Sequence, residues 1–139
     1  MIKKILEEDF SSDTLLSHLE IINDRGDTGR PILLYNNKLT DICVSISYSY
    51  PLVAVEVCKN GDNIGIDIEK IFDHISNEFL KYCFTSRELD CIAKILNQET
   101  FEHNCTILWC IKESVGKLLT IGLVGNPRAI EILFKSSKK

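Results

Sequence analysis

The sequence predicts an α+β fold, an antiparallel sheet packed against helices. Three observations predict it. Between Pro31 and Cys58, short runs rich in β-branched residues are separated by turn residues. From Ser86 to Leu119, apolar residues recur at helical spacing. Between the two, Ile64-Gly65-Ile66-Asp67-Ile68-Glu69 alternates isoleucine with other residues at period two. A chain of 139 residues suits one domain, 1–139, with residues 1–28 as an N-terminal helical extension.

In the extension, Ser12 stands as a helix cap and Leu15, Leu16, Leu19 and Ile22 share one side of a helix over Asp13 to Asn23. Asp24 to Gly29 is turn chemistry, and its Arg-Gly-Asp triplet is read as loop. Pro31 to Tyr35, Asp41 to Ser47 and Leu52 to Cys58 are expected strands. Asn36-Asn37-Lys38 and Tyr48-Ser49-Tyr50-Pro51 join them. A turn at Lys59 to Asn63, with its Asn-Gly pair, leads by a hairpin into Ile64–Glu69 as a further strand. Helices follow near His74 to Tyr82, Ser86 to Leu96 and Thr100 to Leu119. Thr85 or Ser86 caps the second, with Glu88 in its first turn. Gly122 and Gly125-Asn126-Pro127 close the helical region, and Ala129 to Phe134 is a last short strand.

Composition excludes several classes. A net charge of −4 argues against a nucleic-acid partner, which would call for a basic face. No apolar run approaches the ~20 residues of a membrane span, and the apolar part of the first ten residues is short for a signal peptide, so the expected compartment is the cytoplasm. The six cysteines, at 43, 58, 83, 91, 105 and 110, show no Cys-x-x-Cys spacing and read as reduced thiols. His18, His74 and His103 form no cluster.

Two stretches carry chemistry. On a strand, Asp67 and Glu69 project from one face, and paired carboxylates suit a hard cation such as Mg²⁺. On the helix, Leu108, Ile111, Val115, Leu118 and Leu119 share one face. Trp109, Lys112, Glu113, Gly116 and Lys117 share the other. That second face reads either as a salt-bridged outer surface or as a working one. The only tryptophan of the chain, Trp109, fits an outer surface poorly.

Together these residues resemble the 4′-phosphopantetheinyl transferase superfamily. The resemblance is carried by Gly65-Ile66-Asp67-Ile68-Glu69, by Phe84-Thr85-Ser86-Arg87-Glu88, and by Trp109 with Lys112-Glu113-Ser114 and Lys117. Upstream, Gly29-Arg30-Pro31 and Ser45-Ile46-Ser47-Tyr48-Ser49 look like the family's Gly-Lys-Pro and Ser-His-Ser elements. The wording is closer to the surfactin-type branch than to the short holo-acyl-carrier-protein synthases. The chain resembles one lobe with its elements in permuted order, the closing strands of a lobe coming before the opening one, which implies that Ala129 to Phe134 pairs with Pro31 to Tyr35 within a chain or between chains.

The resemblance implies transfer of the phosphopantetheine arm of coenzyme A to a serine of an acyl or peptidyl carrier protein, with release of 3′,5′-ADP. Asp67, Glu69 and Glu113 would hold Mg²⁺. Glu113, directly or through a metal-bound water, would take the serine proton and Lys117 would contact phosphate. Arg30, Ser47 and Tyr48 would bind coenzyme A, with Arg30 in place of the family's lysine and Tyr48 in place of its histidine. Lys112 is either a phosphate contact or a structural ion-pair partner, Trp109 a packing residue, and Glu88 a structural or secondary acidic residue. In the family the coenzyme A cleft lies between lobes or subunits, so a single lobe implies a homo-oligomer, dimer or trimer. The alternatives are a catalytically impaired module that binds coenzyme A or a carrier protein, and a structural or interaction protein.

Overall fold

The computed structural model describes residues 18–24, 29–59, 62–95, 100–123 and 125–133. Four strands, β1 (Leu19–Asn23), β2 (Pro31–Tyr35), β3 (Lys38–Ser49) and β4 (Leu52–Cys58), form an antiparallel sheet in sequence order. Asn36 and Asn37 turn the chain from β2 to β3 with φ of 50° and 60°, a conformation asparagine tolerates better than most residues. On one face of the sheet Leu33, Ile42 and Val44 are buried together, with Leu19, Ile46 and Val57 packed against them.

The helix expected over Asp13 to Asn23 is corrected within the described residues. Leu19–Asn23 is strand β1, in register with β2 from Leu19 opposite Tyr35 to Asn23 opposite Pro31. The β-branched pair Ile21-Ile22 favours a sheet edge once β2 offers a partner, and local helical spacing gives way to that pairing. The earlier part of the expected helix lies outside the described residues.

Three helices follow among the described residues: α1 (Asn77–Cys83), α2 (Ser86–Ile95) and α3 (Phe101–Leu118). Each start is capped. Ser76 accepts from the amide of Phe79 at 3.1 Å and Thr100 from that of His103 at 3.2 Å. At α2, Thr85 Oγ1 accepts from the Glu88 amide at 3.3 Å while Glu88 Oε2 accepts from the Thr85 amide at 2.8 Å, a reciprocal capping box. The helices enclose a second core of Cys83, Phe84, Ile92, Cys105 and Leu108, closed by Phe79 and Trp109. No described helix is long and apolar enough to cross a membrane.

Two further expected strands are corrected. Among the described residues, 129–133 do not pair with β2, whose partners are β1 and β3. Pro127–Ala129 is a 3₁₀ turn, residues 131–133 are irregular, and Phe134 lies outside the described residues. This tail is held by side chains instead: the Ile132 amide donates to Glu88 Oε1 at 2.9 Å, and Glu131 accepts from Thr85 and Arg87. Ile64–Glu69 is extended but joins no ladder, so the expected hairpin with β4 does not form. It runs over the sheet face in the direction of β3. The hydroxyls of Ser45, Ser47 and Ser49 accept from the amides of Ile66, Ile68 and Lys70 at 3.0, 3.3 and 2.9 Å. Successive odd residues of β3 share a face, so one serine meets every second amide. Thr106 of α3 continues the series by accepting from the Phe72 amide at 3.0 Å.

Candidate functional site

Gly65 brings α3 against this pinned segment. A Cβ at Gly65 would overlap the carbonyl oxygen of Ser114 and come within 2.6 Å of the Leu118 amide nitrogen. Only glycine allows that approach, and the approach puts the last two turns of α3 beside the acidic residues. Lys117 then reaches across. Its Nζ donates to Asp67 Oδ1 at 2.8 Å and to the Ile66 carbonyl at 3.0 Å. Ser47 donates to the same Oδ1 at 2.7 Å.

Asp67 Oδ2 is buried and finds no hydrogen-bond partner among the described residues. Glu69 and Glu113 feel Asp67 as a neighbour. Burial first, and the charge of Asp67 second, raise both above the ordinary glutamate range. Lys117 pulls both the other way, as does a hydrogen bond from Trp109 to Glu69. Cys110 sits in the same field; burial, reinforced by Asp67, pushes its thiol up to about 12. Negative charge is therefore in excess on this spot, with one buried oxygen unsatisfied.

Among the described residues, no three acidic, imidazole or thiol side chains converge closely enough to cage a metal ion. Mg²⁺ does not need a cage: it keeps several waters and is held by one or two carboxylates plus ligand phosphate. The unsatisfied Asp67 oxygen, with two glutamates whose charges repel it, fits a cation of that kind.

Beside the carboxylates lies a cavity of about 290 Å³, lined among others by Arg30, Ser45, Glu113 and Lys117. Two permanent or near-permanent cations on its wall suit an anionic ligand, and guanidinium suits phosphate in particular. Arg30 enters it from the start of β2, and its Nη2 also donates to Cys43 Sγ at 2.7 Å.

The structure brings together Arg30, Glu113 and Lys117, with Asp67 and Glu69 adjoining. Ser47 is adjacent but occupied: its hydroxyl serves Asp67 and the Ile68 amide, and Ser45 takes its place on the cavity wall. Tyr48 is not brought to the site. It follows Ser47 on β3, points to the opposite face of the sheet and is 63% exposed. Lys112 is not brought there either. It is 0% exposed and forms an ion pair with Glu88, also 0% exposed, at 2.9 Å. Its other hydrogens reach the carbonyls of Cys83 and Pro127 at 2.9 and 3.1 Å, and it lies over the Phe84 ring. Of its two expected roles, this is the structural one. Trp109 packs on Phe79 with ring centroids 5.5 Å apart. The sequence reading quoted the serine series and named Ser47, but missed Ser45 as a cavity residue and the series as the support of the acidic segment. The signal was present in Ser45-x-Ser47-x-Ser49, whose period two matches the amides of an extended chain.

The model of the 4′-phosphopantetheinyl transferase superfamily matches residues 63–139, more than half of the chain. The match begins at the acidic segment and includes Asp67, Glu69, Glu113 and Lys117; Arg30 and the serines of β3 precede it. No curated protein matches the chain.

Proposed function

Because the chain belongs to the 4′-phosphopantetheinyl transferase superfamily, we propose that it moves the phosphopantetheine arm of coenzyme A onto a serine hydroxyl of an acyl or peptidyl carrier protein. The observation that carries this reading is the convergence of Arg30, Glu113 and Lys117 on one cavity beside the unsatisfied carboxylate of Asp67.

In this reading Arg30 and Lys117 bind the pyrophosphate of coenzyme A, with Ser45 beside them. Of the expected trio Asp67, Glu69 and Glu113, Asp67 with one of the two glutamates would hold Mg²⁺, which supplies charge neutralisation at the phosphates when bound. Glu113 accepts the proton of the carrier serine as its oxygen attacks the phosphorus that bears the pantetheine arm. The new O–P bond forms as the bond to the departing 3′,5′-ADP breaks. Lys117 stays paired with Asp67, so its charge is already placed where negative charge develops and needs no rearrangement.

The same reading includes a homo-oligomer: an exposed apolar strip, Tyr48, Val53 and Val55, lies on the sheet face turned away from the cavity and suits contact with a second copy of the chain. Light scattering that finds only monomer at full activity would reject it. The function itself is tested by chromatography of the nucleotide product. Apo carrier protein, coenzyme A and Mg²⁺ with the enzyme should release one 3′,5′-ADP per serine modified. No release with fatty-acid, polyketide or peptide carriers would reject the reading.

A further inference from the structure

Cys43 and Cys58 stand directly opposite each other in the β3–β4 ladder, as its outermost pair. Both are free thiols. Residues opposite one another in an antiparallel pair point to the same face, with Cα atoms about 4.5 or 5.5 Å apart according to the hydrogen-bond pattern, and both separations fall within disulfide range. Cys58 is the last residue of its strand and half-buried, so its backbone has room to adjust. Cys43 is buried but lines a second cavity, of about 260 Å³, together with Arg30. There Arg30 Nη2 already donates to its sulfur at 2.7 Å.

The other buried thiols are unsuited to this chemistry. Burial pushes Cys83 and Cys105 each up to about 11 and Cys110 up to about 12, and the thiolate is the reacting species.

We propose that Cys43 and Cys58 form a reversible cross-strand disulfide by exchange with a low-molecular-weight disulfide such as glutathione disulfide. The thiolate of Cys58, the more accessible sulfur, attacks one sulfur of the small disulfide and releases one small thiol. Cys43 gives up its proton to solvent and attacks Cys58 Sγ, breaking the mixed disulfide and releasing the second thiol. Two protein thiols are oxidised and one small disulfide is reduced to two thiols. Arg30 sits where charge develops on the attacking Cys43 sulfur. Once that sulfur is in a disulfide it is a poorer acceptor, and the hold on Arg30 at the cavity wall weakens. The effect on an anionic ligand rests on the proposed function; the disulfide does not.

The test uses the whole chain, folded, incubated with glutathione disulfide and read by intact mass and non-reducing peptide mapping. The expected product is about 2 Da lighter than the thiol form, with Cys43 joined to Cys58, and dithiothreitol restores the original mass. Cys58→Ser should show no such loss. Because Cys58 is half-buried, that variant folds more readily than one altered at Cys43. Arg30→Gln should close the bond several-fold more slowly. An unchanged mass, a persistent glutathione adduct, intermolecular dimers or a map joining other cysteines would each overturn the proposal. None of these results depends on whether coenzyme A is a substrate.

Discussion

Lys117 Nζ lies 2.8 Å from Asp67 Oδ1, joining the end of α3 to the acidic segment through one ion pair. The Asp67 side chain is 4% exposed, and only one of its oxygens is satisfied. The unsatisfied oxygen gives a divalent cation something to gain on binding. Mg²⁺ together with coenzyme A is therefore expected to raise the melting temperature above the effect of coenzyme A alone. In Asp67→Ala the metal-dependent part should vanish. Thermal denaturation of both proteins, with and without Mg²⁺, checks this; an equal metal effect in the variant would remove Asp67 from the ligand set.

The contact at Gly65 sets a stability prediction. A methyl there meets backbone, the Ser114 carbonyl and the Leu118 amide, which cannot swing aside as a flexible side chain can. Gly65→Ala should cost about 3 kcal/mol, at the upper end of overpacking penalties. Urea denaturation measures it. A cost under about 1 kcal/mol would mean that α3 is free to move away from the segment.

The buried pair of Lys112 and Glu88 predicts non-additivity. Lys112→Met leaves Glu88 charged in the core and should cost about 3–5 kcal/mol. Adding Glu88→Gln should recover part of the loss, because no unpaired charge is then buried, although the one amide oxygen of glutamine can serve only one of the Thr85 and Ile132 amides. The folded double variant should bind coenzyme A as the parent does, by calorimetric titration. Weakened binding with intact stability would instead place Lys112 at the phosphates.

Much of this architecture was legible in the sequence because it is local. Strands β2 and β4, the turn at Asn36-Asn37 and the starts of α2 and α3 follow from β-branched runs, turn residues and capping residues. What was not legible depends on partners distant in the chain. Helical spacing around Leu19 and Ile22 gave no notice that β2 would recruit the segment as a strand. Isoleucine alternation in Ile64–Glu69 does signal an extended chain. Whether its amides meet a neighbouring strand or a row of serine hydroxyls is decided 21 residues upstream. The charged side of α3 faces inward, since Lys112 finds Glu88 and Lys117 finds Asp67, while Leu118 and Leu119 of the apolar side are exposed. At the site, spacing paired Asp67 with Glu69, while the roles of Glu113 and Lys117 came from the resemblance to the family. Tyr48 could not be placed by adjacency to Ser47, because neighbouring strand residues face opposite ways.

The raised glutamates predict a pH dependence of stability. The ordinary value is 4.5, and in the folded protein Glu113 and Glu69 lie above it. Between the ordinary and the raised value the folded state holds more protons than the unfolded chain. Their contribution is thus most favourable below the ordinary value, is lost as pH rises through the raised values, and then levels off. Glu113→Gln cannot ionise and should escape its share of that loss. Relative to the parent it should gain stability as pH rises from about 4 to about 7, with its advantage largest at the neutral end. Denaturation curves across that range decide it; an advantage that shrinks with rising pH would reverse the assigned sign.

The central claim is that Glu113 and Lys117 act on coenzyme A while Lys112, on the same helix, only supports the fold. Intact mass spectrometry of apo carrier protein incubated with coenzyme A, Mg²⁺ and enzyme tests it most directly. The account predicts that the parent protein adds one phosphopantetheine to the carrier serine. The folded Lys112→Met, Glu88→Gln variant should do the same within about threefold in rate, and Glu113→Gln should be slower by roughly a hundredfold or more. A carrier whose mass stays unchanged with the parent protein, or changes equally fast with Glu113→Gln, would contradict it.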